Sequence, residues 1–522
     1  MKIYLVSLLF TLISYPLMSQ HQNVKISSEN APEETVILVN HLDVNEIIAG
    51  ANINNCCRSA DGGYSWDCQT LSSPYGVWGD PCIVIDTNGI YNFLSLSNPP
   101  NLIGSWIDRI VCQQSSDGGA SWDNATFMGL NNEKPQDKEW ATVDRNNNNI
   151  YVTWTQFDVY GSSAPQDSSI IRFSRSSDGG NTWSEAKRIN HVAGDCVDGD
   201  NTVEGAVPAV GPNGELYVSW VGPAGMMFDR SMDYGDTWLK DDIFVTDVPG
   251  GWDYHVPGFS RCNGLPVLVC DTSGGPNNGT LYINWTDQRN GDLDTDVWLT
   301  KSQDGGDTWS APIRVNDDPP GKHQFLTWVD IDQTNGNLYF VFYDRRDYTD
   351  HLTDTYMAWS SNGGITFENF KVSSSPFYPN QNVFMGDYNN VSAHNGVVRP
   401  IWTRLHETIS GYQLSIWTAI VDLSILLKPE VEHSDFLLSQ NFPNPADIST
   451  FVKFKLPAAT IVTLTIFDLS GKECARPIDH SFYSNGKYVE EIQLNKYGLA
   501  KGFYYYELVT EYGSSVKKMI VR

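Results

Sequence analysis

Short stretches alternating apolar with polar residues, broken by Gly, Asn and Asp turns, run through most of the first 424 positions of this chain. That period of two predicts β-strands, and the stretches come in sets of four. Each set opens with an apolar strand that ends near an Asp. A Gly/Asn turn follows, then a second strand such as Tyr151-Val152-Thr153-Trp154, Tyr217-Val218-Ser219-Trp220 or Tyr282-Ile283-Asn284-Trp285, then a third and a fourth. First strands are predicted at Thr35 to Asn40, Pro81 to Asp86, Trp140 to Asp144, Ala206 to Val210, Leu265 to Asp271, Phe325 to Asp332 and Asp387 to Ala393. The last of these seven sets is one strand short, and Asn23 to Ser27 is the segment that could complete it.

Between the third and fourth strands one phrase recurs, Ser-x-Asp-x-Gly-x-Thr/Ser-Trp. It begins at Ser59, Ser115, Ser176, Ser231 and Ser302, with a degenerate copy from Ser360 to Phe367 in which Asn362 replaces the Asp. The phrase reads as a tight turn. Its carboxylate accepts backbone N–H groups, its glycines supply positive φ, and its Trp pins the loop to the sheet. Units of this size cannot bury both faces alone and must stack on their neighbours, which points to a ring or a solenoid.

The phrases resemble the Asp-box, or bacterial neuraminidase repeat, of sialidase-superfamily β-propellers. The resemblance implies an all-β propeller over residues 23–424; the count of seven first strands favours seven blades, with six, the usual sialidase number, kept open. It also implies that the boxes are structural clips remote from any substrate, so they say little about activity.

After about Leu427 the repeat stops. Alternating strands with Pro and Gly turns then predict a small β-sandwich over 436–522, joined by a linker at 425–435. Its opening Gln440-Asn441-Phe442-Pro443-Asn444-Pro445, its Asp468-Leu469-Ser470-Gly471 turn and its Lys517-Lys518-Met519 ending resemble, in that order, the type A C-terminal sorting domain of the type IX secretion system of Bacteroidetes. That resemblance implies export past both membranes, secretion or surface attachment, and the secretion machinery as a partner. The N-terminus, Met1-Lys2 followed by an apolar run to about Met18, fits a signal peptide over residues 1–19.

The net charge of −28 argues against nucleic acid and anionic lipid as partners. No later segment is long and apolar enough to span a bilayer, and a monomer is expected. In an exported chain some of the nine cysteines should pair, and Cys57 with Cys68, flanking the first box, is the expected bridge.

In a propeller the residues just before each first strand gather at one mouth of the central channel. Here they include Asp80, Glu139, Glu204, His255 with Arg261, His323, and Asp387-Tyr388. Carboxylates, His, Tyr and Arg together suit a carbohydrate site. A second set, Arg289, Arg345, Arg346 and Arg404, ends second strands, and Arg offers a rigid fork for carboxylates. The sialidase resemblance implies a Tyr nucleophile backed by Glu, an Asp acid/base and three Arg on the acid sugar. Tyr388 with Glu204 or Glu139, Asp80, and the Arg set could fill those parts, and Asp387 joins them as a candidate catalytic carboxylate. No Phe/Tyr-Arg-Ile-Pro phrase precedes the first box, which departs from the family. Asp292, Asp294 and Asp296 resemble half of a calcium loop, although no Glu completes an EF-hand and a solvated acidic turn is the better reading. No cofactor is required. The expected function is therefore a secreted glycoside hydrolase or lyase acting on acidic glycans, with a non-catalytic propeller binding glycans or proteins as the alternative.

Overall fold

The computed structural model describes residues 21–101, 106–409, 411–423, 437–469, 472–510 and 513–522. The signal-peptide and linker expectations lie outside the described residues. The chain forms two compact units, Met1–Val421 and Asp422–Arg522.

The first unit contains seven four-stranded antiparallel sheets. Numbered as blades 1 to 7, they have inner strands Val36–Val39, Cys82–Ile85, Gln136–Val143, Glu204–Val210, Val267–Cys270, Gln324–Asp332 and Asn390–His394. Each inner strand touches the inner strands of the blades on either side, and blade 7 touches blade 1, so the ring is closed. In blade 7 the outermost strand is Gln22–Ser27, paired antiparallel to Gly411–Ile420 with Asn23 opposite Ala419. One blade is thus built from both ends of the domain, and closure leaves the inner edge of each sheet short and sheltered around the channel. The seven-blade expectation and its closing strand are both observed. Second strands carry the largest fully buried side chains, Trp154, Trp220, Trp285 and Trp402, which fill the space between blades.

The recurrent turns share one geometry. In the first, the Ser59 hydroxyl donates to Asp61 Oδ1 at 2.8 Å and accepts Gly63 N at 2.9 Å, while Ser65 donates its N–H and its hydroxyl to the same carboxylate at 2.9 and 2.6 Å. These donors, the Ser65 hydroxyl foremost, pull the Asp61 carboxyl down to about 2. Each turn also accepts a side chain from the preceding blade. Gln69 donates to Gly119 O at 2.7 Å, Arg230 to Gly305 O at 2.6 Å, Lys301 to Gly363 O at 2.8 Å, and Arg399 of blade 7 to Gly62 O at 2.8 Å. The repeats are therefore blade-to-blade clips. Because inner strands begin at one mouth and turns joining third to fourth strands fall at the other end, the clips ring the face opposite the predicted site.

Cys57 and Cys68 form a disulfide, as expected. Cys56, Cys82, Cys112, Cys196, Cys262 and Cys270 are free and buried, acting as small apolar side chains.

The second unit is a sandwich of a three-stranded sheet (Leu437–Leu438, Ser449–Leu456, Gly486–Gln493) and a four-stranded one (Glu473–Tyr483, Thr460–Asp468, Gly502–Thr510, Gly513–Val521). Strict alternation puts Phe454, Leu456, Leu464, Ile466, Tyr506, Leu508 and Met519 in its core. The opening motif is tied to the last strand. Gln440 Nε2 donates to Lys518 O at 2.7 Å and Ile520 N donates to Asn444 Oδ1 at 2.9 Å, which is why the first and last motifs of this domain occur together.

Candidate functional site

The chain enters most inner strands through a residue with left-handed backbone. These are Glu34 (φ 50°), Asp80 (φ 48°), Lys138 (φ 53°), Gly205 (φ 71°), Leu326 (φ 50°) and Gly386 (φ 91°). Non-glycine residues in this region are strained, and such strain collects where a structure over-determines a side chain's direction. Gly386 is required, since a Cβ there would lie 2.5 Å from Glu34 N. In blades 3, 4 and 6 the same entry is a bulge in the pairing with the second strand. The bulge re-aims side chains toward the upper mouth of the channel.

There they meet around one cation. Lys138 Nζ lies 2.9 Å from Asp387, 3.3 Å from Asp80 and 3.4 Å from Glu34, joining blades 3, 7, 2 and 1. Arg261, in the segment leading to blade 5, grips Asp387 with Nε at 2.7 Å and with Nη2, and reaches Asp198 at 3.5 Å. Asn52 donates to Glu34 and accepts Asp80 N at 2.8 Å, and Asn263 donates to Asp387 O at 2.8 Å. Tyr160 donates to Asp198 at 2.6 Å.

Carboxyls of this group are driven in opposite directions. Asp80 and Asp387 stand below the ordinary value because the Lys138 charge, with Arg261 at Asp387, outweighs their burial. Glu139 and Glu204 are pushed well above it, first by burial and then by neighbouring carboxylates. Glu139 is 1% exposed and neither of its oxygens has a partner among the described residues. Burial likewise raises Glu34 and Asp137, and takes Glu33 up to about 7.

Below the cluster an aromatic plug closes the channel. Trp140 lies 4.4 Å from Trp328 and 5.0 Å from Tyr388, centroid to centroid. The Tyr388 hydroxyl is buried without a partner, and burial together with Asp80 and Glu34 raises its pKa. A nucleophilic phenol needs the reverse, so the sequence-based role for Tyr388 is corrected to a wall of the plug.

Of the predicted residues, Asp80, Glu139, Glu204, Asp387, Tyr388 and Arg261 are brought together. The Arg set is not. Arg289 is held by Asp287 at 2.5 Å over Trp298, and Arg346 by Asp344 at 2.8 Å and Asp317 at 2.5 Å over Tyr356. Arg404 donates to Ser375 at 3.0 Å over Trp417, and Arg345 donates to Pro257 O at 2.7 Å between Phe259 and Phe325. Each serves its own blade or an adjoining loop because it sits one strand further from the axis. His323 is buried against Thr295 at 3.0 Å and lowered to about 4 by burial and Arg345, while His255 is exposed on the loop beside it. Both stand apart from the Lys138 group.

The three residues of the calcium expectation are not gathered into one group. Asp292 is exposed, Asp294 accepts Gly321 N at 2.7 Å, and Asp296 is occupied by Asn290 and Asn316 at 2.6 Å each. Among the described residues no group of three His, Cys, Asp or Glu is arranged to hold a metal ion.

Sequence reasoning passed over Glu33, Glu34 and Asp198, and gave no role to Lys138, which stands among the residues before a first strand. Glu33-Glu34 also directly precede a first strand, so the same positional rule reaches them. Asp198 lies in an irregular loop that no pattern marks.

Residues 440–522 match the secretion system C-terminal sorting domain. The C-terminal unit is a sorting domain. It marks the chain for type IX export to the cell surface or beyond, and among the described residues no helix is long and apolar enough to cross a membrane. No curated protein matches the chain by sequence. Among solved structures it is similar to a protein of unknown function from Dyadobacter fermentans, at 12% identity and TM-score 0.43 over 77% of this chain and 99% of that one. It is also similar to the Hadza microbial sialidase Hz136 (14%, TM-score 0.42, 72% and 73%) and to Trypanosoma rangeli sialidase in complex with the inhibitor DANA (12%, TM-score 0.39, 87% and 85%). The propeller assignment rests on the seven sheets and their closure.

Proposed function

We propose that the upper mouth is a catalytic site and that the exported protein is a glycosidase. The observation that supports this reading is the gathering of these carboxyls at one mouth with opposed shifts, burial raising Glu139 and Glu204 while Lys138 lowers Asp80 and Asp387. Pairs driven apart in this way can supply a general acid to the leaving oxygen and an anion to the developing oxocarbenium ion. Arg261, whose side chain is 42% exposed over an Asp387 side chain only 3% exposed, is the group an entering sugar displaces.

Substrate charge follows from the same residues. Carboxylates outnumber cations here, and both cations are already paired. A neutral glycan therefore suits this mouth better than the acidic one expected from the Arg set. The test is release of reducing ends from neutral and acidic glycans at pH 5 to 8. Neutral glycans should be cleaved, and Glu139→Gln and Asp387→Asn should each lower kcat by about a hundredfold or more. Folded protein inactive on every glycan sinks the proposal.

The burial of Asp80, Glu139, Glu204 and Asp387, none above 8% exposed, favours a second reading in which the mouth binds without turnover. Saturable glycan binding with no product separates the two.

A further inference from the structure

Beneath the aromatic plug the inner strands enclose a second space, a cavity of about 510 Å³ opening on the opposite face. Its walls are largely aliphatic, with Val84, Val143, Val210, Val269 and Ile331 among them, and Trp140 and Trp328 form its roof. The exception is its rim, where Arg145, Asp330 and His394 line the opening.

Arg145 follows the inner strand of blade 3. Its charge is nevertheless felt by His41 beyond the inner strand of blade 1, by His394 at the end of that of blade 7, and by Asp330 on that of blade 6. Arg145 lines this opening together with Asp330 and His394, which places its charge at the rim. Among the described residues it makes no hydrogen bond or ion pair, unlike the arginines of the upper face. The two imidazoles meet edge to face at 6.2 Å, and His41 Nδ1 is buried without a partner. Asp330 spends its carboxylate on Ala393 N and Ile331 N, both at 2.8 Å.

We infer that this lower opening is a binding site for a small oxyanion, a carboxylate or a phosphate, taken by the Arg145 fork with His41 and His394 at its side. An unpaired guanidinium presents two parallel N–H donors to such a group, and the chain's overall charge of −28 leaves few other places for an anion. Binding should depend on pH. Asp330 titrates at about 7 because burial raises it, so its repulsion fades as pH falls through neutrality. His41 gains its proton only near 4, held down by burial, Arg145 and His394. The remaining charged neighbours, Asp86 at His41 and Asp332 at His394, oppose that lowering.

The test is calorimetric titration of the full chain with glucuronate, with inorganic phosphate and with glucose, at pH 7.5 and 6.0. Saturable binding of one or both anions, tighter at pH 6.0, is the expected result, and the two anions tell a sugar acid from a phosphate; any glucose bound at the upper mouth should bind the parent and Arg145→Gln alike. Arg145→Gln should weaken anion binding at least tenfold with unchanged circular dichroism, and Arg145→Lys less. No saturable anion binding, or an Arg145→Gln variant that binds the anions as well as the parent, would overturn the assignment.

Discussion

The two ends of the propeller channel are built from the same seven strands, yet they hold charge in opposite ways. At the upper mouth, left-handed entry residues turn Glu34, Asp80 and Lys138 inward, where charge is buried and tied across four blades. At the lower rim the left-handed residues, Asn148 and Asn395 among them, lie in the hairpin turns beyond the inner strands rather than in the channel, and Arg145 makes no hydrogen bond or ion pair among the described residues. Buried charges are costly and must be mutually satisfied, so the upper mouth is locked. An exposed, unpaired charge costs little and stays available to a ligand. Strand polarity alone separates a rigid, strained end from a permissive one.

The sharpest way to break this contrast is Lys138→Met, which leaves Glu34, Asp80 and Asp387 facing one another. It should cost about 3–5 kcal/mol in urea unfolding, and a loss below 1 kcal/mol would mean the upper mouth is not locked. Next comes the pH dependence of stability. Glu33, Glu139 and Glu204 have raised folded pKa values, so the folded state holds more protons and stability should rise as pH falls from 8 to 5. Asp80 and Asp387 are lowered, so their contribution is present above pH 4 and is lost as pH falls further. Urea midpoints should therefore peak near pH 5, with a gain of about 1–2 kcal/mol over pH 8. Glu139→Gln should flatten the limb between pH 8 and 5.

Smaller still is the effect of Asp61→Asn in the first clip, at about 1 kcal/mol or less. Asn362 already fills that place in the sixth clip, accepting Ser360 and Thr366 N at 3.0 Å and donating to Thr366 Oγ1 at 2.7 Å. Smallest is Arg145→Gln, expected within about 0.5 kcal/mol of the parent because Arg145 makes no hydrogen bond or ion pair among the described residues. A cost matching that of Lys138→Met would erase the difference between the two ends.

Much of this was legible beforehand. Period-two alternation gave the strands, and the Ser-x-Asp-x-Gly phrase gave the repeat, because both are local rules. The positional rule for mouth residues also found Asp80, Glu139, Glu204 and Asp387. The ends of the second strands did not lead to the mouth, since residue type and strand end do not reveal which ring of strands a side chain faces; the alternative of salt bridges with Asp287 and Asp344 is what holds Arg289 and Arg346. Tyr388 was misjudged for a related reason, as nothing in its neighbourhood along the chain announces the rings of Trp140 and Trp328.

By itself, then, the sequence determined the strands, the clips and the export domain, which depend on residues close to one another along the chain, while the choice of seven blades over six was decided by the pairing of Gln22–Ser27 with Gly411–Ile420. Only the tertiary structure decided that Lys138 faces three carboxylates from three other blades, that the channel is plugged, and that Arg145 lines its far opening. Those contacts join residues up to hundreds of positions apart, and their charge states follow from burial and distance, which no local pattern encodes.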